Sequence, residues 1–141
     1  MKTEHRLFKP ILFGLVLALA VFLNPGRIQA ASKALDGKTF IGPTGPKGKG
    51  ADGEDELIFK DGKVFSVPCA NWGFGWADYT VSVEGDAIQF VSVMLSEKHG
   101  QIVWQGTVKG EKLDSTFVWT KKRWYWKDAH EESWFKGVLK K

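Results

Sequence analysis

The 141-residue chain is 43% hydrophobic, 26% charged and 13% aromatic, a balance that excludes overall disorder and points to one globular domain. Its formal charge of +4 overstates the basicity of that domain, because Lys2, Arg6, Lys9 and Arg27 stand against only Glu4 within residues 1–30. Past that point the balance is about +1, so nucleic acid is not expected as a partner. Cys69 is the only cysteine, which rules out an internal disulfide and leaves stability to the core.

In chain order, the first element is a leader. Lys2, Arg6 and Lys9 precede an apolar run over 11–23, Pro25-Gly26 breaks it, and Gln29-Ala30-Ala31-Ser32 supplies small residues. That order is what signal peptidase reads, so residues 1–30 are expected to be a cleaved signal peptide with the product periplasmic or extracellular. The run is shorter than the roughly 20 residues of a membrane-crossing helix, and no stable membrane span is expected after cleavage.

Residues 31–55 read as an N-terminal strand near 38–41 followed by a long flexible loop over 42–55, rich in Gly, Pro, Lys and acids. Residues 56–141 form the rest of the domain. Asp61-Gly62 between 56–60 and 63–67 supplies the positive φ angles of a two-residue hairpin, and Glu84-Gly85-Asp86 separates 78–83 from 87–95. Further turns at His99-Gly100, Gly110 and Lys121-Lys122 mark strands near 101–109, 113–120, 123–127 and 133–140. Period-two alternation, such as Ile102, Trp104, Gly106 and Val108 on one face, requires half-buried strands. The expected fold is all-β, an antiparallel up-and-down meander of about eight or nine strands closing into a small barrel. Asp36-Gly37-Lys38-Thr39-Phe40 also echoes Asp61-Gly62-Lys63-Val64-Phe65.

Leu35-Asp36-Gly37-Lys38-Thr39-Phe40 and Trp104-Gln105-Gly106-Thr107-Val108-Lys109-Gly110 resemble the opening and a late strand of the lipocalin (calycin) barrels, with Phe40 in place of the usual tryptophan. The resemblance implies a barrel with room for an apolar ligand. Gly73-Phe74-Gly75, Tyr79 and Trp124-Tyr125-Trp126 are similar to small exported bacterial proteins of unassigned function, a likeness that implies no activity.

Candidate chemistry is sparse. Cys69 with His99 or His130 lacks the spacing of a nucleophile and its base, and Cys69 reads as a small buried hydrophobe. Asp52, Glu54, Asp55 and Glu56 do not space their oxygens as a calcium loop does and read as an exposed acidic loop. His99 and His130 read as turn histidines, so no metal and no cofactor is expected. Lys121-Lys122-Arg123 with Lys127 reads as a solvated turn. An enzyme would have to use acids such as Asp78 or Glu84 in the barrel mouth.

Seven tryptophans are the stronger signal. Trp104, Trp119 and Trp134 are expected in the core. Trp72, Phe74 and Trp76 lie between glycines in a loop, and Trp124 and Trp126 share one strand face, with Tyr125 on the other. These five are the candidate ligand-binding residues, lining an end or a cavity for a small apolar or amphipathic molecule. The alternative is a structural or protein-interaction module of the cell envelope whose barrel is solid, with no particular protein partner indicated.

Overall fold

The structure, a computed structural model, describes residues 33–141; the expected leader and its cleavage region lie outside the described residues. Eight strands follow one another: β1 (Thr39–Pro46), β2 (Gly53–Lys60), β3 (Lys63–Ser66), β4 (Ala77–Glu84), β5 (Ala87–Ser96), β6 (Gly100–Lys109), β7 (Lys112–Lys121) and β8 (Ala129–Leu139). Each pairs antiparallel with the next, and β8 returns to β1, so the meander closes into a barrel. This is the architecture that the alternation and the lipocalin resemblance implied.

Local chemistry sets the turns. Asp61 (φ 53°) and Gly62 (φ 74°) both take positive φ, the condition for a two-residue turn matching strand twist, and Lys60 faces Lys63 across it. The two Asp-Gly echoes meet in space. Gly62 donates its N–H to both oxygens of the Asp36 carboxylate (3.0 and 3.1 Å), and Tyr79 donates its hydroxyl to the same group (2.6 Å). Burial, reinforced by the neighbouring Asp36 carboxylate, raises the Tyr79 pKa, so the phenol remains a donor. Leu35, fully buried, plugs the barrel just above this latch. This end, which also carries the turns at 85–86 and 110–111, is therefore closed.

Two expectations about the strands are corrected. The stretch 42–55 is not a single long loop: β1 runs to Pro46 and β2 starts at Gly53, leaving only 47–52 as a connector. Glycines mask the strand in the sequence but are needed where backbones approach closely. A Cβ on Gly42 would sit 2.0 Å from the backbone oxygen of Lys136, and one on Gly45 2.4 Å from that of Gly50. The register to β8 is also interrupted at Gly42-Pro43, where proline has no N–H to give. The second correction concerns 123–127, expected as a strand but found in the irregular connector 122–128 between β7 and β8. Alternation over so short a segment did not secure a pairing partner.

The barrel interior is filled by side chains. Phe59 stands at its centre, edge-on to Phe40, Tyr79 and Phe90 at centroid distances of 6.1, 5.1 and 5.1 Å. Trp104, stacked on Phe117 at 4.3 Å and edge-on to Phe135, fills the other side. Each such burial contributes roughly 1.5–3 kcal/mol, with aromatic pairing adding about 0.5–1.5 kcal/mol. Of the other expected core tryptophans, Trp119 points inward and packs against the core while partly exposed. Trp134 is corrected: it lies on the outer face of β8, one residue out of phase with buried Phe135, donating its indole N–H to the Lys49 carbonyl (3.0 Å) under the Lys136 ammonium.

Gly106 and Gly137 make room for these rings. A Cβ at Gly106 would lie 2.6 Å from Phe90 and 2.7 Å from Ser115, and one at Gly137 2.8 Å from both Phe40 and Phe135. We expect Gly106→Ala and Gly137→Ala each to cost about 1–3 kcal/mol in denaturant unfolding through overpacking. Gly53→Ala, whose nearest neighbour would be a Thr44 methyl at 3.6 Å, should stay within about 0.5 kcal/mol of the parent. Equal effects at all three positions would contradict this packing.

Candidate functional site

The longer connectors gather at the opposite end: 47–52, 67–76, 97–99 and 122–128. The second of these begins with a 3-10 helix, Pro68–Trp72, whose start suits proline because φ is already fixed and no donor is wasted. Gly73 ends it with φ 78°, turning the chain so that Phe74 drops onto the core while Trp72 stays at the rim. Ser96 donates its hydroxyl to the Trp72 carbonyl (2.8 Å), tying the helix to β5.

A cavity of about 500 Å³ opens at this end. Phe74, Ile102 and Trp119 lie deepest, and Cys69, Trp72 and Tyr125 form apolar walls. His99, Lys121, Arg123 and Glu131 supply polarity. Trp119 is fixed by its indole N–H, donated to the His99 carbonyl at 2.6 Å, and the His99 ring stands edge-on to Trp72 at 5.4 Å. Ile102 pairs with Trp119 and Trp104 with Phe117, so Trp104 lies one layer below the cavity floor. Its buried indole nitrogen has no hydrogen-bond partner among the described residues, a core cost and not a handle for a ligand.

Beside the cavity is a polar cluster that the sequence reading missed. Asp55, expected in an exposed loop, is 4% exposed and points into the barrel, accepting the Ser66 hydroxyl at 2.9 and 3.1 Å. The signal was its phase: Asp55 alternates with Leu57 and Phe59, both fully buried. Desolvation raises the Asp55 pKa, with the Ser66 hydrogen bond opposing it. Burial also pushes the neighbouring Cys69 thiol up to about 11, so it is a poor nucleophile even though it shares the cavity with His99.

The candidate ligand-binding residues are divided by the structure. Trp72 and Phe74 line the cavity, joined by Tyr125, which the strand reading had set opposite its neighbours. Trp76 instead stacks on Phe65 outside the barrel wall at 5.0 Å, and Trp124 and Trp126 stand in solvent, 95% and 71% exposed. Trp119, assigned to the core by sequence, packs against it and also lines the cavity. Arg123, Lys121 and His99 were also missed, since nothing in a basic turn announces that it closes over a pocket.

Other candidates are dispersed. Asp52 and Glu54 are exposed and Glu56 pairs with Lys140 at 3.2 Å, whereas Asp55 points inward, so the four acids do not converge. His99 and His130 line different depressions. Neither Asp78 nor Glu84 is in the mouth: Asp78 is on the outer surface, bound to Lys63 at 2.7 Å, and Glu84 borders the turn at the closed end.

Two measurements check the cluster. At neutral pH the raised thiol holds about 100-fold less thiolate than an unperturbed one, so alkylation of Cys69 should be slower by at least that order in folded than in denatured protein. Equal rates would contradict its burial. For Asp55, a folded-state pKa above the usual 3.8 means that the folded protein keeps a proton the unfolded chain releases. Its contribution is full below that value and declines as pH rises through the raised one. The melting temperature of Asp55→Asn should therefore gain on the parent as pH rises above the usual carboxylate value; a pH-independent difference would show the carboxyl to be unperturbed.

A scan of protein families, a search of curated proteins and a search of solved structures each returned no match to this chain.

Proposed function

We propose that this is an exported, non-enzymatic binding protein that takes a small amphipathic molecule into the cavity at the open end. The observation that carries the reading is the cavity lining: aromatic and aliphatic walls meet two cations, Lys121 and Arg123, against one carboxylate, Glu131. An apolar tail would leave water against Phe74, Ile102 and Trp119, worth roughly 25 cal/mol per Å² buried, and an anionic head would face Arg123 and Lys121. Export rests on the order of charge, apolar run and small residues in the leader.

The filled interior favours the alternative, a solid structural or protein-interaction module, over a deep lipocalin-like ligand chamber. The end cavity favours ligand capture.

Tryptophan fluorescence during titration with single-chain amphiphiles of one length and anionic, neutral or cationic heads separates the two. The anionic series should shift the emission of Trp72 and Trp119 and bind tightest. Trp72→Ala and Arg123→Gln should each weaken it by about tenfold, the equivalent of 1.4 kcal/mol. No saturable response from any amphiphile would leave the solid module as the function.

A further inference from the structure

All the exposed aromatic residues among the described ones, Trp72, Trp76, Trp124, Tyr125 and Trp126, lie on connectors of the open end. The closed end exposes only Val83 and Val138 among large apolar side chains near its turns. Lysines border both ends, so charge alone does not distinguish them; the rings do. Trp124, Tyr125 and Trp126 are consecutive and 95%, 67% and 71% exposed, and Trp124 and Tyr125 stand edge-on to each other at 5.3 Å. Leu95, 68% exposed, extends the apolar rim beside Lys98 and Lys122.

Charge frames this trio. Lys121, Lys122 and Arg123 precede it and Lys127 follows it, and none of the four makes an ion pair among the described residues. The one acid of the connector, Asp128, accepts the Arg123 backbone N–H at 3.2 Å and so closes the turn that carries the rings. Indole and phenol rings partition to the headgroup depth of a bilayer, apolar body inward and polar edge toward water. Flanking cations add attraction to anionic lipid, and neither signal alone gives firm attachment.

We propose that the open end docks on the surface of an anionic phospholipid bilayer, with Trp124, Tyr125 and Trp126 at headgroup depth and Lys121, Lys122, Arg123 and Lys127 against lipid phosphates. The proposal shares Lys121, Arg123 and Tyr125 with the cavity but is separable from the amphiphile reading, since Trp124 and Trp126 do not line the cavity. Docking would also turn the cavity mouth toward the lipid.

The test is quenching of tryptophan emission in the full chain by brominated phospholipids, in vesicles of phosphatidylcholine with and without phosphatidylglycerol. Residues 1–30 hold no tryptophan, so the readout reports the barrel even if the apolar run inserts. Quenching is expected on phosphatidylglycerol vesicles, falling with added salt, and it should be largely lost in Trp124→Ser/Trp126→Ser. Lys122→Gln and Lys127→Gln, both outside the cavity, should each weaken apparent vesicle affinity about fivefold. Emission untouched by anionic vesicles, or quenched to the same fraction in the double tryptophan variant, would overturn the proposal. The amphiphile titration of that variant should be unchanged, so the two readings can fail separately.

Discussion

Everything in this fold depends on the last strand reaching the first. A meander leaves two rows of unpaired N–H and C=O groups unless it closes, and closure of a small barrel brings backbones and rings into close approach at the seam. Gly42 and Gly137 remove the side chains that would hold β1 and β8 apart, while Phe40 and Phe135 fill the space behind them. The consequence is a barrel of small bore whose interior is occupied by Phe40, Phe59, Phe90, Trp104 and Phe135. Such a core holds the domain together without a disulfide, and it pushes ligand capture to the ends.

The two ends then differ for a physical reason. At one, two-residue turns at 61–62, 85–86 and 110–111 leave no backbone to build with, and Leu35 with the Asp36 carboxylate seals what remains. At the other, longer connectors supply walls, a short helix and cations, the usual arrangement of function on loops held by a rigid scaffold. The Asp55, Ser66 and Cys69 cluster sits at the boundary between rim and core, where a carboxyl and a thiol are both held in forms that resist ionisation.

Much of the fold was legible because alternation and turn chemistry act locally. Asp61-Gly62 and Glu84-Gly85-Asp86 marked their hairpins, and Ile102, Trp104 and Val108 marked an inward face. What the sequence hid depends on distant partners. Gly42 and Gly45 read as loop until β8 and residue 50 are seen against them; Trp134 read as core until its outward phase beside Phe135 is known. Trp124 and Trp126 looked like a strand face because two aromatics spaced by one residue alternate whether or not a neighbour pairs with them. For the site, Trp72 and Phe74 were readable as unusual loop aromatics, whereas Arg123 and Trp119 join them only through the closure of β7 and β8 over the rim.

The central claim is that a filled barrel reserves recognition for one end. Mapping backbone amide NMR shifts during saturation with a single-chain anionic amphiphile addresses it most directly. The account predicts perturbations confined to 67–76, 97–102 and 119–131, with Phe59, Phe90 and Phe135 unmoved. Shifts spreading through those central phenylalanines, or appearing around Leu35 and Tyr79, would contradict it.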